Sequence, residues 1–263
     1  MAEQFRTLAD YLEKAGHAQG AQLTRNFGDS LLEAGLISES VGMEEPIKMD
    51  RGIIESRLEQ IAKEFNSQEH TPGVLTQTFQ AIWQARGELV GATYEVTPCP
   101  YTQEKIAQDE ANGVRHGYLP TELSTQQTRH ILGEMSPKMQ SQSVKEGNSV
   151  TNDENPSGWF DYEAAIDAPY LETEERQLMD KIKKDGRKIL SLNQYIVARE
   201  DSKLFTGKYL DEDGTYVRVG SRNDGYLVSV YSRRDGRLRV GSPLLAGHHY
   251  PRLGGRSSGV NKA

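Results

Sequence analysis

Between residues 216 and 240, tyrosine and arginine alternate with valine and leucine. Tyr216, Arg218, Ser229, Tyr231, Arg237 and Arg239 share one parity of that alternation, and Val217, Val219, Val228, Val230, Leu238 and Val240 share the other. Successive side chains of a strand point to opposite faces, so the aliphatic set is expected in a core and the Tyr/Arg set on the outer face. The chemistry of that outer set is recognition: flat amphipathic rings give contact area, and forked guanidinium groups give paired hydrogen bonds. These six residues are the candidate ligand-binding set, for a protein or another ligand. Arg233, Arg234, Arg252 and Arg256 add phosphate-binding capacity. No aromatic ribonucleoprotein motif or zinc finger accompanies them, so nucleic acid is a partner the sequence allows but does not favour.

The remaining reactive residue types form no recognisable catalytic set. Asp161 and Glu163 lie two apart on a strand pattern, the spacing of an acid/base pair, but with no partner identifiable they read as the wet face of an edge strand. His248 and His249 are adjacent and would point to opposite faces of a strand. Asp211, Glu212 and Asp213 before Gly214 resemble part of a calcium loop, without the closing glutamate that supplies two oxygens, and read as a turn. The run from Leu253 to Gly259, LGGRSSG, offers backbone for an anion nest but has no Walker lysine, and reads as a surface tail. Cys99, the only cysteine, sits between Pro98 and Pro100 with no sign of activation. No nucleophile elbow or dinucleotide fingerprint occurs. No cofactor, metal or catalytic residue is therefore assigned, and an enzyme enters only as an unrecognised type, with a pocket holding two convergent titratable groups from Asp161, Glu163, His248 and His249.

The elements that must position these residues follow from periodicity and punctuation. Apolar residues recur at helical spacing in four runs: Phe5–Leu8–Leu12–Ala15, Leu23–Phe27–Leu31–Ala34, Ile54–Leu58–Ile61–Phe65 and Leu75–Phe79–Ile82–Leu89. Gly16 and Gly35 stand where C-caps belong, Asp50 precedes the third run, and Thr71-Pro72 supplies an N-cap followed by proline at the first helical position. Residues 1–90 are thus expected to be a helical module capable of self-association. Residues 91–135 read as a mixed connector, with a strand over Thr93–Val96, a helix over Thr102–Ala111 and an extended Val114–Leu119. The run TQEKIA from Thr102 resembles the opening of a helix-turn-helix, but Gly113 comes too late for the turn and Pro120 would break the second helix. Residues 136–157 are rich in Ser, Asn, Gln and charge and read as a linker. Beyond it come a strand from Trp159 to Ala165, a helix from Thr173 to Lys184 closed by Gly186, and a strand from Ile189 to Ala198. Ser-Arg-x-Asp-Gly then occurs twice, at 221–225 and 232–236, each putting glycine where a hairpin turn needs a positive φ, which predicts a three-stranded meander.

The chain of 263 residues is 36% hydrophobic and 26% charged, a folded rather than disordered composition, and its charge of −7 is unevenly spread. Residues 201–263 hold eleven Lys/Arg against six Asp/Glu, leaving twenty against thirty-two in residues 1–200. Such asymmetry marks an anion-facing surface or two domains that attract each other. No window is apolar enough for a membrane span and one cysteine makes no internal disulfide, so the expected setting is the cytoplasm, with a virion the alternative.

The opening Trp-x-x-x-Glu strand (Trp159–Glu163), the following helix, the Gly/Ser/Arg/Tyr-rich hairpins and the closing Leu-Gly-Gly-Arg (Leu253–Arg256) together resemble C-type-lectin-like domains. The nearer likeness is to the cysteine-poor bacterial and phage forms, including the variable proteins of diversity-generating retroelements. The calcium and sugar motifs of true lectins are absent. The resemblance implies that residues 158–263 form a rigid β scaffold displaying a binding surface, with the helical part serving attachment or oligomerisation. The expected architecture is α+β, and the expected role is non-catalytic recognition. The rival role is structural, a component of an assembly such as a phage particle, held together by the helices.

Overall fold

Three helix starts are set by single side chains. Asp50 accepts from the Gly52 amide at 2.8 Å, Thr71 from the Val74 amide at 3.2 Å and Thr102 from the Lys105 amide at 3.3 Å, each satisfying a donor that the first helical turn leaves open. The computed structural model describes residues 9, 10, 13, 18–33, 50–136, 138, 139, 150, 151, 155–212, 214–233, 235–241, 247 and 250–259. The chain divides into two compact units, Met1–Lys48 and Met49–Ala263.

In the first unit, helix α1 spans Ala18–Glu33, and Arg25 pairs with Asp10 and Glu13 at 2.9 and 2.5 Å. Leu23 and Phe27 of α1 are exposed. The expected helix through Phe5, Leu8 and Leu12 falls outside the described residues, apart from helical Ala9, Asp10 and Glu13.

The second unit is α+β. Its helices are α2 (Arg51–Asn66), α3 (Pro72–Glu88), α4 (Gln103–Ala111), α5 (Arg129–Met135), α6 (Glu175–Lys184) and α7 (Leu192–Thr206). Strands β1 (Val114–Leu119) and β2 (Gly158–Glu163) pair antiparallel, with His116 opposite Asp161 and Tyr118 opposite Trp159. Strands β4 (Tyr216–Asn223), β5 (Tyr226–Ser232) and β6 (Leu238–Val240) form the predicted meander, and β7 (Leu253–Gly255) joins β4 in parallel to give the order β6-β5-β4-β7. A third pair joins β3 (Arg187–Ile189) to β8 (Ser257–Gly259).

Helix α7 is the centre of the unit and overturns the strand expected over Ile189–Ala198. Ser191 and Gln194 form a capping box that starts it, Gly207 at φ 77° ends it, and Leu192, Tyr195, Ile196, Val197, Ala198 and Phe205 are buried along it. Burial on several sides of this segment, rather than local sequence pattern, decides that it is a helix. Thr93–Val96, also expected as a strand, carries no strand pairing.

One hydrophobic core runs through Phe65, Phe79, Trp83, Tyr118, Trp159, Tyr195 and Val228. It therefore crosses the expected boundaries at 90, 135 and 157: α2 and α3 belong with the sheet, and the division falls between Lys48 and Met49. Even the segment read as a linker contributes, since Met139 and Val150 are buried and Thr151 bridges to Arg222.

Fully buried arginines pin the loops to this core. Arg256 makes two 2.9 Å bonds to Asp211 and donates to the carbonyls of Glu163, Ala165 and Ile166 at 2.7–2.9 Å. Arg129 reaches Asn193 at 2.7 Å and the Val150 carbonyl at 3.1 Å, and burial pushes its pKa down to about 10. The LGGRSSG run is accordingly two short buried strands around Arg256, in place of the surface tail its glycines and serines suggested.

Candidate functional site

The meander is set by its first turn. Asp224 and Gly225 both adopt positive φ, 50° and 83°, which turns β4 tightly into β5 and aligns Val217 with Val230 and Arg218 with Ser229. On the inner face Val217, Val219, Val228, Val230 and Leu238 are buried and Val240 is partly buried, as the alternation predicts.

The outer face is split. In one row Tyr216, Tyr231 and Arg239 lie side by side across β4, β5 and β6: Tyr231 is the register partner of Arg239, and the two tyrosine rings meet at 4.9 Å with a 54° tilt. Tyr216 and Arg239 are exposed and Tyr231 is half-buried. Arg237 is exposed beside this row and pairs with Asp235 at 3.4 Å. Tyr250 is exposed just before β7, two residues from Arg252, whose carbonyl accepts from the Tyr216 amide at 2.7 Å.

In the next row Arg218 and Ser229 are buried. Arg218 donates to the Thr173 carbonyl at 2.6 Å, and Glu175, at the start of α6, accepts from Arg222 at 3.0 Å and from the Leu227 amide at 3.2 Å. The chain entering α6 thus lies over half of the outer face. Burial lowers the Arg218 pKa, opposed by Glu175 and Glu174. The structure brings Tyr216, Tyr231, Arg237 and Arg239 to solvent, while Arg218 ties the sheet to the chain entering α6 and Ser229 is buried beside it.

The expected wet face of β2 is also covered. Asp161 accepts from Arg187 at 2.5 Å and from the Gly259 amide at 2.7 Å, and Glu163 accepts from the Ser257 amide at 2.9 Å. Both carboxylates bind the edge of β8 and line none of the clefts around Met179, His70 and Glu55. His248, His249 and Asp213 lie outside the described residues. Asp211 accepts from Arg256, Tyr195 and Thr215. Among the described residues no three His, Cys, Asp or Glu side chains gather as metal ligands would.

A cleft of about 250 Å³ does gather titratable groups that sequence reasoning did not single out, His70, Glu110 and His116. His70 is occupied at both ring nitrogens, by Glu110 and by the Phe65 carbonyl at 3.1 Å, and stacks on the Phe65 ring at 3.8 Å. His116 lies 3.0 Å from Asp109, and burial lowers its pKa against the pull of that carboxylate. The His70–Glu110 and His116–Asp109 pairs join α4 to the turn after α2 and to β1. A larger cleft, about 520 Å³, mixes Glu55, Glu59 and Glu200 with Arg51, Lys138 and Lys203 and presents no single charge.

Comparison with known proteins found no matching family model, no matching curated protein and no matching solved structure. Among the described residues no helix is long and apolar enough to cross a membrane.

Proposed function

We propose that this protein is a non-catalytic recognition protein that binds a protein or other ligand through the open row of its C-terminal sheet, Tyr216, Tyr231 and Arg239, with Arg237 at its margin. The observation that carries the reading is the row itself, two tyrosine rings and a guanidinium set side by side by strand register, with Tyr216 and Arg239 exposed. Rings and forked cations held rigidly lose little freedom on binding, which is why such residues dominate binding hot spots. A sheet displaying such a surface, with β2 lying against β8, is also what a C-type-lectin-like scaffold would provide. The resemblance and the row use the same residues and count once.

The test uses the full chain as bait in a cell lysate, beside a Tyr216→Ala/Tyr231→Ala/Arg239→Ala variant, with and without nuclease. Hot-spot truncations cost about 2 kcal/mol or more each, so the variant should lose its partner outright. A partner lost by the variant and kept after nuclease supports recognition of a protein, and loss on nuclease treatment moves the ligand to nucleic acid. Equal capture by both forms would falsify the reading.

A structural role has one observation of its own, the exposure of Leu23 and Phe27 on α1. Under that reading sedimentation shows an oligomer that becomes a monomer when residues 1–48 are removed, and the same species in both samples refutes it.

A further inference from the structure

Helix α6 does not join the main core. It packs on the β4–β5 hairpin and β3 through a cluster of its own, Leu178, Ile182 and Leu227, edged by Met179, Ile189 and Tyr170. Nearby, β4 is irregular: its register against β5 shifts between Val219 and Arg222. Within the shift the Gly220 amide donates to the Leu190 carbonyl at 2.6 Å, and Ser221 accepts from the Leu192 amide at 2.9 Å. The bulge joins β4 to the start of α7. A cleft of about 330 Å³ remains between β4 and α6.

Its lining is unlike that of the other clefts. Met179, Ile182, Ile189 and Leu227 make an apolar wall, and Lys183, Arg187, Lys188 and Arg222 supply four cations, with no Asp or Glu among the lining residues. Two of the cations are held in place from behind: Arg187 by Asp161 at 2.5 Å and the Ser257 carbonyl at 3.0 Å, Arg222 by Glu175 at 3.0 Å and the Gly225 carbonyl at 2.7 Å. Lys183 and Lys188 are exposed at the rim. In a chain of net charge −7, an apolar pocket whose lining charges are all positive, with Arg187 and Arg222 paired to Asp161, Glu163 and Glu175 outside the lining, selects for a ligand with the opposite combination. The volume lies near the lower limit of small-molecule sites, about 300 Å³, and suits a body of one or two rings.

We infer that this cleft is a binding site for a small organic phosphate, its apolar body against Met179, Ile182, Ile189 and Leu227 and its phosphate among Lys183, Lys188, Arg187 and Arg222. The doubly charged group matches several cations better than a single carboxylate does. The site shares no residue with the Tyr216–Tyr231–Arg239 row and stands or falls without it.

Calorimetric titration of the full chain with naphthyl phosphate tests it, with inorganic phosphate and naphthalenemethanol as the charge-only and ring-only controls. The expected result is saturable binding of one naphthyl phosphate per chain, with both controls weaker. Lys183→Ala/Lys188→Ala should weaken it about tenfold, equivalent to about 1.4 kcal/mol, with an unchanged urea midpoint because both side chains are exposed. Met179→Glu, which puts a carboxylate into the half-buried apolar wall where the ring should lie, should abolish it. No saturable heat at millimolar naphthyl phosphate, equal affinity in the wild type and the lysine variant, or inorganic phosphate binding as tightly as the ester each overturns the assignment.

Discussion

Replacing Asp211 by asparagine isolates the charge that holds the C-terminal segment in place. Asp211 and Arg256 are both fully buried, and the carboxylate receives two bonds from Arg256 at 2.9 Å, one from the Tyr195 hydroxyl at 2.9 Å and one from Thr215 at 3.0 Å. Burial works against the Arg256 charge, but Asp211 outweighs it and the arginine pKa is raised. Asparagine keeps the shape and tolerates the left-handed backbone at residue 211, φ 62°, so the loss comes from the charge and from one amide N–H turned toward a donor. A buried ion pair broken on one side costs about 3–5 kcal/mol, against a total stability of about 5–15 kcal/mol. At about 2–4 °C per kcal/mol, the melting temperature falls by about 10 °C. Both tryptophans of the chain, Trp83 and Trp159, are buried in the main core, so urea unfolding followed by tryptophan fluorescence reads the loss directly. Asp211→Asn/Arg256→Met should recover part of it, because no charge is then left stranded. An Asp211→Asn variant within about 1 kcal/mol of wild type, or a double variant equal to the sum of the singles, would refute the reasoning.

Two further outcomes follow from the same unit. A Cβ on Gly254 would lie 2.1 Å from the Pro169 carbonyl oxygen, a backbone atom that cannot swing aside, so Gly254→Ala should destabilise by about 1–3 kcal/mol, while Gly73→Ala, with only Thr71 at 3.8 Å, should be neutral or slightly stabilising on the same urea curves. Burial raises the pKa of Asp201 despite its bond to Arg86 at 2.7 Å, so the folded protein holds that proton more tightly than the unfolded chain does. The Asp201 contribution is therefore fully present below the unfolded-state value, about 3.9, and declines as pH rises through the folded value. Asp201→Asn should thus compare progressively better with wild type as pH is raised from about 4 to about 7, and a difference that is flat with pH counts against the assignment.

What could be read from the sequence was local. Caps at Asp50, Thr71 and Thr102, the positive-φ turn at Asp224-Gly225 and the inward valines all obey rules that span a few residues. Alternation also separates Arg218 from Val217 and Val219 correctly, but opposite to the core does not mean in solvent. Whether Thr173 and Glu175 cover that row depends on contacts some 45 residues away in the chain. That one core joins α2 and α3 to the sheet was hidden for the same reason: helical period in residues 51–90 says nothing about which sheet the helices pack against. Helix α7 was within reach, because Ser191-x-x-Gln194 followed by Gly207 is a start and a stop signal. The cationic cleft had a trace in the basic run Lys183-Lys184-Asp185-Gly186-Arg187-Lys188, but its opposite wall, Gly220 to Leu227, joins it only through the bulge in β4.

The parallel pairing of β7 with β4 and the wedging of β8 against β3 affect how the molecule can be made. Asp161, Glu163 and Asp211 each take part of their hydrogen bonding from residues 256–259, so a ribosome-bound chain that has exposed everything up to residue 250 carries three incompletely bonded carboxylates and two strand edges without their neighbours. Contacts this distant along the chain close slowly, and until they do the incomplete sheet is open to pairing with other nascent copies. Expression at low temperature or with a holdase present is therefore expected to favour folded product, and removal of residues 253–259 is expected to destabilise the whole second unit.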